Sequence, residues 1–146
     1  MKKSMVAVML TVFTTIGVYG DESVTKAEGN RIRFSFADKE IIVLLIDNSA
    51  VRSLIAMLPL TLEFQDYAGS EKISYLTKKL DTSDTPAGYT PSSGDLMLYA
   101  PWGNLAFFYR DGGYAAGLVP LGKIVSGAAS LGRLGGGVSV HVDKVQ

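Results

Sequence analysis

Gly94-Asp95-Leu96-Met97-Leu98-Tyr99-Ala100-Pro101-Trp102-Gly103-Asn104-Leu105-Ala106-Phe107-Phe108-Tyr109 holds the clearest strand pattern in the chain. It reads as two strands joined by a tight turn. Leu96 and Leu98 alternate with Met97 and Tyr99 on the first arm. Leu105, Phe107 and Tyr109 alternate with Ala106 and Phe108 on the second. A period of two sends one set into a core and leaves the other on an exposed face. Pro101 supplies a fixed φ, while Gly103 and Asn104 tolerate positive φ, as a tight turn requires.

Short segments of similar kind lie on either side. Ile32, Phe34 and Phe36 alternate with Arg31, Arg33 and Ser35, which is the pattern of a half-buried strand. After a turn at Asp38-Lys39, Glu40 to Ile46 is apolar at nearly every position and reads as a strand covered on both faces. Asp47-Asn48-Ser49 supplies capping residues. Val51, Leu54, Ile55 and Leu58 then follow at helical spacing, and Pro59 ends the helix. A third strand runs from Leu60 to Gln65, followed by a turn over Asp66 to Ser70 and a short fourth strand over Lys72 to Leu76.

Residues 77–93 are rich in Thr, Ser, Asp, Pro and Gly. They form a long loop, either functional or simply a mobile surface connection. Beyond the hairpin, Asp111-Gly112-Gly113 turns the chain, and Leu118 to Ile124 is a strand with Gly122 marking a bulge or close backbone approach. Ser126 to Leu131 has room for one helical turn, and Val138, Val140 and Val142 alternate in a final strand. Eight short strands with turn signals and one clear helix suggest a closed barrel or a sandwich.

The chain has 146 residues, no cysteine and a formal net charge of zero. That length suits one domain. The charge balance offers no basic patch for nucleic acid. The missing cysteines exclude disulfides, thiolate zinc and a lipoprotein anchor. Lys2 and Lys3 precede an uncharged, mostly apolar run from Met5 to Val18, with Val18-Tyr19-Gly20 presenting small residues for cleavage. This is the pattern of a secretory signal peptide over residues 1–20. The run is shorter than the ~20 residues of a spanning helix, and an uncleaved anchor is the alternative. The expected organisation is a signal peptide at 1–20, a linker at 21–29 and one domain at 30–146. The protein would then be exported, to the periplasm or the medium, with no membrane role beyond export.

The order of elements from about residue 30 to 146 resembles the cyclophilins, prolyl isomerases built on an eight-stranded barrel capped by one or two helices. Phe34 to Leu58 is similar to the family's strand-Asp-strand-Asp-helix opening. Gly94 to Arg110 is similar to its hairpin, with Phe107-Phe108 matching a Phe-Phe pair. Leu118-Val-Pro-Leu-Gly-Lys-Ile-Val-Ser-Gly127 resembles its His-Val-Val-Phe-Gly-Lys-Val-x-x-Gly segment, and Val138 to Val142 its last strand. Asp66-Tyr-Ala-Gly69, and Gly94-Asp95 with Ala100-Pro-Trp-Gly-Asn-Leu-Ala106, resemble a group of short bacterial cyclophilin-like proteins.

The resemblance implies a groove on the outer face of the barrel. Prolyl isomerisation crosses a barrier of ~18–20 kcal/mol. In cyclophilins an arginine on the strand after the first helix donates to the proline nitrogen as resonance is lost. An apolar pocket holds the ring, bordered by a histidine and a tryptophan. Phe108 matches the pocket phenylalanine, and Tyr99 stands where the family has a small alanine. Leu60 to Gln65 contains no arginine; Glu63 sits near its place, and an ionised carboxylate cannot donate. Leu118 takes the histidine's position, and Tyr114 stands in for the tryptophan. Loss of a preorganised donor costs ~100-fold to 1,000-fold in rate.

The groove is therefore expected to comprise Glu63, Tyr99, Trp102, Phe108 and Tyr114. Each also has a plainer reading: Trp102 could staple its turn, Phe108 could cover the barrel under a loop, and Glu63 could be solvated. The expected activity is binding of a small molecule or a proline-containing peptide, without efficient isomerisation. The alternatives are a weak isomerase of exported proteins, or a different enzyme using Glu63 as acid or base. The single histidine, His141, lies on the last strand and supports no Ser-His-Asp set. No metal-ligand spacing appears, so no metal or cofactor is expected.

Overall fold

The computed structural model describes residues 30–146; the expected signal peptide and linker, residues 1–20 and 21–29, lie outside the described residues. The first half of the domain runs β1 (Arg31–Phe36), β2 (Lys39–Leu45), α1 (Ser49–Met57), β3 (Leu60–Glu63), β4 (Gln65–Tyr67) and β5 (Glu71–Tyr75). The second runs β6 (Gly88–Tyr89), β7 (Asp95–Tyr99), β8 (Asn104–Phe108), β9 (Ala115–Ala116), β10 (Leu118–Ser126), a 3₁₀ helix (Ala128–Arg133) and β11 (Ser139–Lys144).

One antiparallel sheet takes the order β3-β11-β1-β2-β10-β7-β8-β5-β4. Its two edge strands, β3 and β4, are separated in the chain by Phe64 alone. One bent strand therefore serves both edges, pairing with β11 before Phe64 and with β5 after it. Counted this way, the nearly closed barrel has eight strands. The third strand was expected to stop at Gln65; it continues to Tyr67, and the turn shifts to Ala68 and Gly69, whose φ values are 53° and 62°. β6 and β9 form a separate ribbon, so the long loop and the chain after the hairpin tie to each other.

The barrel interior is apolar and close-packed. Phe34 lies at its centre, with its ring 4.8 Å from Phe107 and 6.2 Å from Phe64, both edge-on. Leu96, Leu98, Leu105, Val140 and Val142 complete the same cluster. α1 adds Ala50, Val51 and Leu54 to it and so caps the interior. Asn48 is the N-cap: its Oδ1 accepts from the Val51 N–H at 2.8 Å, and its Nδ2 donates to the Pro120 carbonyl at 2.9 Å. The same helix end holds the long loop, because the Ser49 N–H donates to Asp84 Oδ1 at 2.6 Å and Arg52 pairs with Asp84 at 2.6 Å. A carboxylate at a helix N-terminus meets unsatisfied N–H groups and the positive dipole end.

Two expectations about burial are corrected. The outer face of the hairpin is not exposed: Met97, Ala106 and Phe108 form a second buried cluster with Ile73 and Leu118. β7 and β8 are interior strands, and chain from both neighbouring loops lies over them. The Gly112 N–H donates to the Pro91 carbonyl at 3.0 Å, beside the Phe108 ring. Conversely, β2 is not covered on both faces. Ile41, Val43 and Leu45 are buried, while Leu44 and the following Ile46 stay 36% and 45% exposed. The helix caps the interior rather than covering this outer face. Gly122 lies at a register shift of β10, and a Cβ there would run into the Leu44 carbonyl, so the close approach read from the sequence is present.

Candidate functional site

Pairing register places three side chains in a row on the outer surface. Tyr67 of β4 stands opposite Glu71 of β5, which stands opposite Phe108 of β8. Directly opposed residues share a face. Phe108 is only 6% exposed and packs in the outer buried cluster with Ile73, Met97, Ala106 and Leu118, of which it and Leu118 make the apolar floor. Tyr99 ends β7, and the turn that follows turns Trp102 back toward the row. Gly103, at φ 69°, lets its N–H reach the Tyr99 carbonyl at 2.9 Å. Pro101 rests against Gly117, where a Cβ would lie 2.7 Å from the proline ring.

The aromatic rings interlock. Trp102 meets Tyr67 at 5.5 Å and 90°, and Tyr99 at 5.3 Å and 79°. Edge-to-face contacts of this kind are worth ~0.5–1.5 kcal/mol beyond area burial. Together Tyr67, Glu71, Tyr99, Trp102 and Phe108 line a groove of about 300 Å³, with Pro91, Gly112 and Gly113 at its rim. That volume is at the lower end of small-ligand sites, ~300–1,000 Å³.

One carboxylate, that of Glu71, lines the groove. Burial raises the Glu71 carboxyl above its ordinary value, and the negative charge of Asp66 adds to the effect. Asp66 is provided for: the Tyr109 hydroxyl donates to it at 2.6 Å and Lys72 lies at 3.5 Å. The Tyr109 hydrogen bond is the main reason that Asp66 titrates below its usual range. Glu71 has no such partner; among the described residues no cation lies within 4 Å of its carboxylate.

Of the five residues expected in the groove, Tyr99, Trp102 and Phe108 come together in it. Glu63 does not. It lies on β3 opposite Ser139 and lines a separate depression with Thr61, Gln65 and Tyr75. The barrel seam at Phe64 separates its pairing from that of β4. Tyr114 is also outside, 67% exposed. A Cβ on Gly88 would lie 2.5 Å from its hydroxyl, so Tyr114 packs across the β6–β9 ribbon. Tyr67 and Glu71 line the groove in their place. Glu71 shares the parity of Ile73, a signal present in the sequence, but its neighbours follow only from the β4–β5–β8 register. Among the described residues no group of three or more His, Asp or Glu side chains could hold a metal ion.

Comparison with known proteins agrees with this fold. A family model described as the Cyclophilin-like family matches residues 34–143. The solution structure of a hypothetical protein from Archaeoglobus fulgidus is similar in fold, with a TM-score of 0.56 and 19% identity. The likeness covers 81% of this chain and 96% of that one. No curated protein matches the chain.

Proposed function

This chain belongs to the cyclophilin-like family, and from that membership and the groove we propose that it is a binding protein whose outer face takes a small organic molecule or a short peptide. The observation that carries the reading is the set of three interlocked rings, Tyr67, Trp102 and Tyr99, over a buried Phe108 floor. Aromatic lining with a few polar groups is how concave sites gain affinity and orientation together. Tyr67 and Trp102 remain 42% and 48% exposed, so their faces are available to a ligand.

Efficient prolyl isomerisation is not part of this reading. The twisted amide nitrogen needs a preorganised donor, and the polar residues of the groove are Tyr67, Ser70, Glu71, Tyr99 and Trp102. Neither arginine nor histidine lines it among the described residues. Hydroxyl and indole donors are weaker than a guanidinium. Phe108 on the floor favours a weak isomerase as the second reading, since a proline ring fits an apolar floor of that kind. Export is proposed with the function, supported by the Lys2-Lys3 start and the apolar run to Val18. Fractionation and N-terminal sequencing of the protein recovered from its source test it; a start near Asp21 is expected, and recovery from the cytoplasm contradicts it.

The test of function is a proline-limited refolding assay with the purified protein, run beside ligand titrations. Uncatalysed exchange takes ~10–100 s at 25 °C, so catalysis is readily seen. Binding of a peptide or small molecule without acceleration at micromolar protein is the expected result. Acceleration that disappears in Phe108→Ala would replace the binding reading with the isomerase one.

A further inference from the structure

We propose that the group entering this groove is an organic cation, an ammonium centre held between the Glu71 carboxylate and the rings of Tyr67 and Trp102. The inference rests on the binding reading above and names the chemical class of its ligand. Three observations carry it. Glu71 is a half-buried carboxylate on the groove wall with no cation within 4 Å among the described residues. Its acidic neighbour Asp66 already has Tyr109 and Lys72, so the local cation is spent and the Glu71 charge is left over. Tyr67, directly across from Glu71, presents a ring to the same space, with Trp102 set at right angles to it.

A partly buried carboxylate that lacks a partner is costly, and the cost is relieved by a cation or a proton. The upward displacement of the Glu71 carboxyl by burial agrees with a charge waiting for compensation. Aromatic faces attract cations through their quadrupole, tryptophan most of all, and the attraction grows as water is excluded. A neutral ligand of the same shape would fill the groove yet leave Glu71 desolvated and unpaired. An ammonium centre satisfies the carboxylate and the rings at once.

Trp102 is the only tryptophan in the chain, so its emission reports on the groove alone. The full-length protein is titrated at constant ionic strength with choline and with its uncharged carbon isostere, 3,3-dimethylbutan-1-ol. Nα-acetyl-lysine methylamide is a third probe, separating a free organic cation from a peptide lysine as the source of the ammonium group. Choline or the lysine derivative is expected to bind about tenfold more tightly than the isostere. Glu71→Gln is expected to remove that preference while retaining the response to the isostere. Equal affinity for choline, the lysine derivative and the isostere in the wild type would overturn the cation inference and leave the groove as a binding site. A preference that survives in Glu71→Gln would also overturn it. If none of the three probes moves the emission, the cation inference falls, and the binding reading passes to titration with a proline-containing peptide.

Discussion

The ring of Tyr67 meets the ring of Trp102 edge-on at 5.5 Å and 90°, although one comes from the strand after the barrel seam and the other from the hairpin turn. Tyr67 pairs with Glu71, whereas Trp102 follows Tyr99 at the far end of the β7–β8 hairpin, so the indole lies back over the outer face. The contact closes the groove on one side.

Removing that ring should separate binding from stability. Tyr67 is 42% exposed, so Tyr67→Ala should cost only ~0.5–1.5 kcal/mol of folding free energy, the worth of the ring pair. Ligand affinity should fall about fivefold, and Trp102 emission should shift to the red as the indole becomes wetter. Urea denaturation and fluorescence titration on the same sample check both parts.

Glu63 provides the contrast. It lines a different depression, which straddles the seam between Thr61 and Gln65 and shares no lining residue with the groove. Glu63→Gln should leave groove affinity within about twofold of wild type, in keeping with the small effects of surface substitutions away from a site. A loss as large as that in Tyr67→Ala would mean that the two surfaces act together.

Barrel closure depends on Phe64, which is 3% exposed and packs against Phe34 and Phe107. Phe64→Ala should destabilise the fold by about 3–5 kcal/mol, the usual cost of truncating a buried phenylalanine. Because β3 and β4 meet at this residue, faster amide exchange should concentrate in the β3–β11 and β4–β5 pairs. Exchange spread evenly over the sheet would contradict the role of Phe64 as the seam.

The clamp on the long loop has a pH signature. Asp84 accepts from the Ser49 N–H, and this bond, with the Ser49 hydroxyl and Arg52, lowers its pKa from 3.8 to about 2. A folded pKa below the unfolded one gives stability that is fully present above about pH 4 and is lost as pH falls toward 2. Wild type should therefore exceed Asp84→Asn in urea midpoint at pH 5, with the gap narrowing by pH 2. A gap unchanged over that range would remove Asp84 as its source.

Much of this was legible in the sequence, and the failures have physical causes. The split of Leu105 and Phe107 from Ala106 and Phe108 follows from strand parity alone, and both sets fall on the faces that parity assigns. Asn48 as a cap and Gly122 as a close approach likewise follow from local chemistry. Parity says which face a residue takes; it does not say what covers that face. Phe108 is buried because Pro91 and Gly112 lie beside it, and Leu44 is exposed because the helix caps the interior instead. The site was legible in the same proportion. Tyr99, Trp102 and Phe108 lie on one hairpin and could be placed together. Tyr67 and Glu71 join them through register across three strands, which no local pattern contains.

Ligand binding in the groove can be mapped residue by residue from the amide chemical shifts of the isotope-labelled protein, recorded while choline, Nα-acetyl-lysine methylamide and a short proline peptide are added in turn. Saturable shifts are expected only at Tyr67, Glu71, Tyr99, Trp102, Phe108 and Gly112, with Glu63 and Tyr114 unmoved. Shifts centred on the Glu63 depression, or no saturable shifts with any of the three, would contradict binding in the groove.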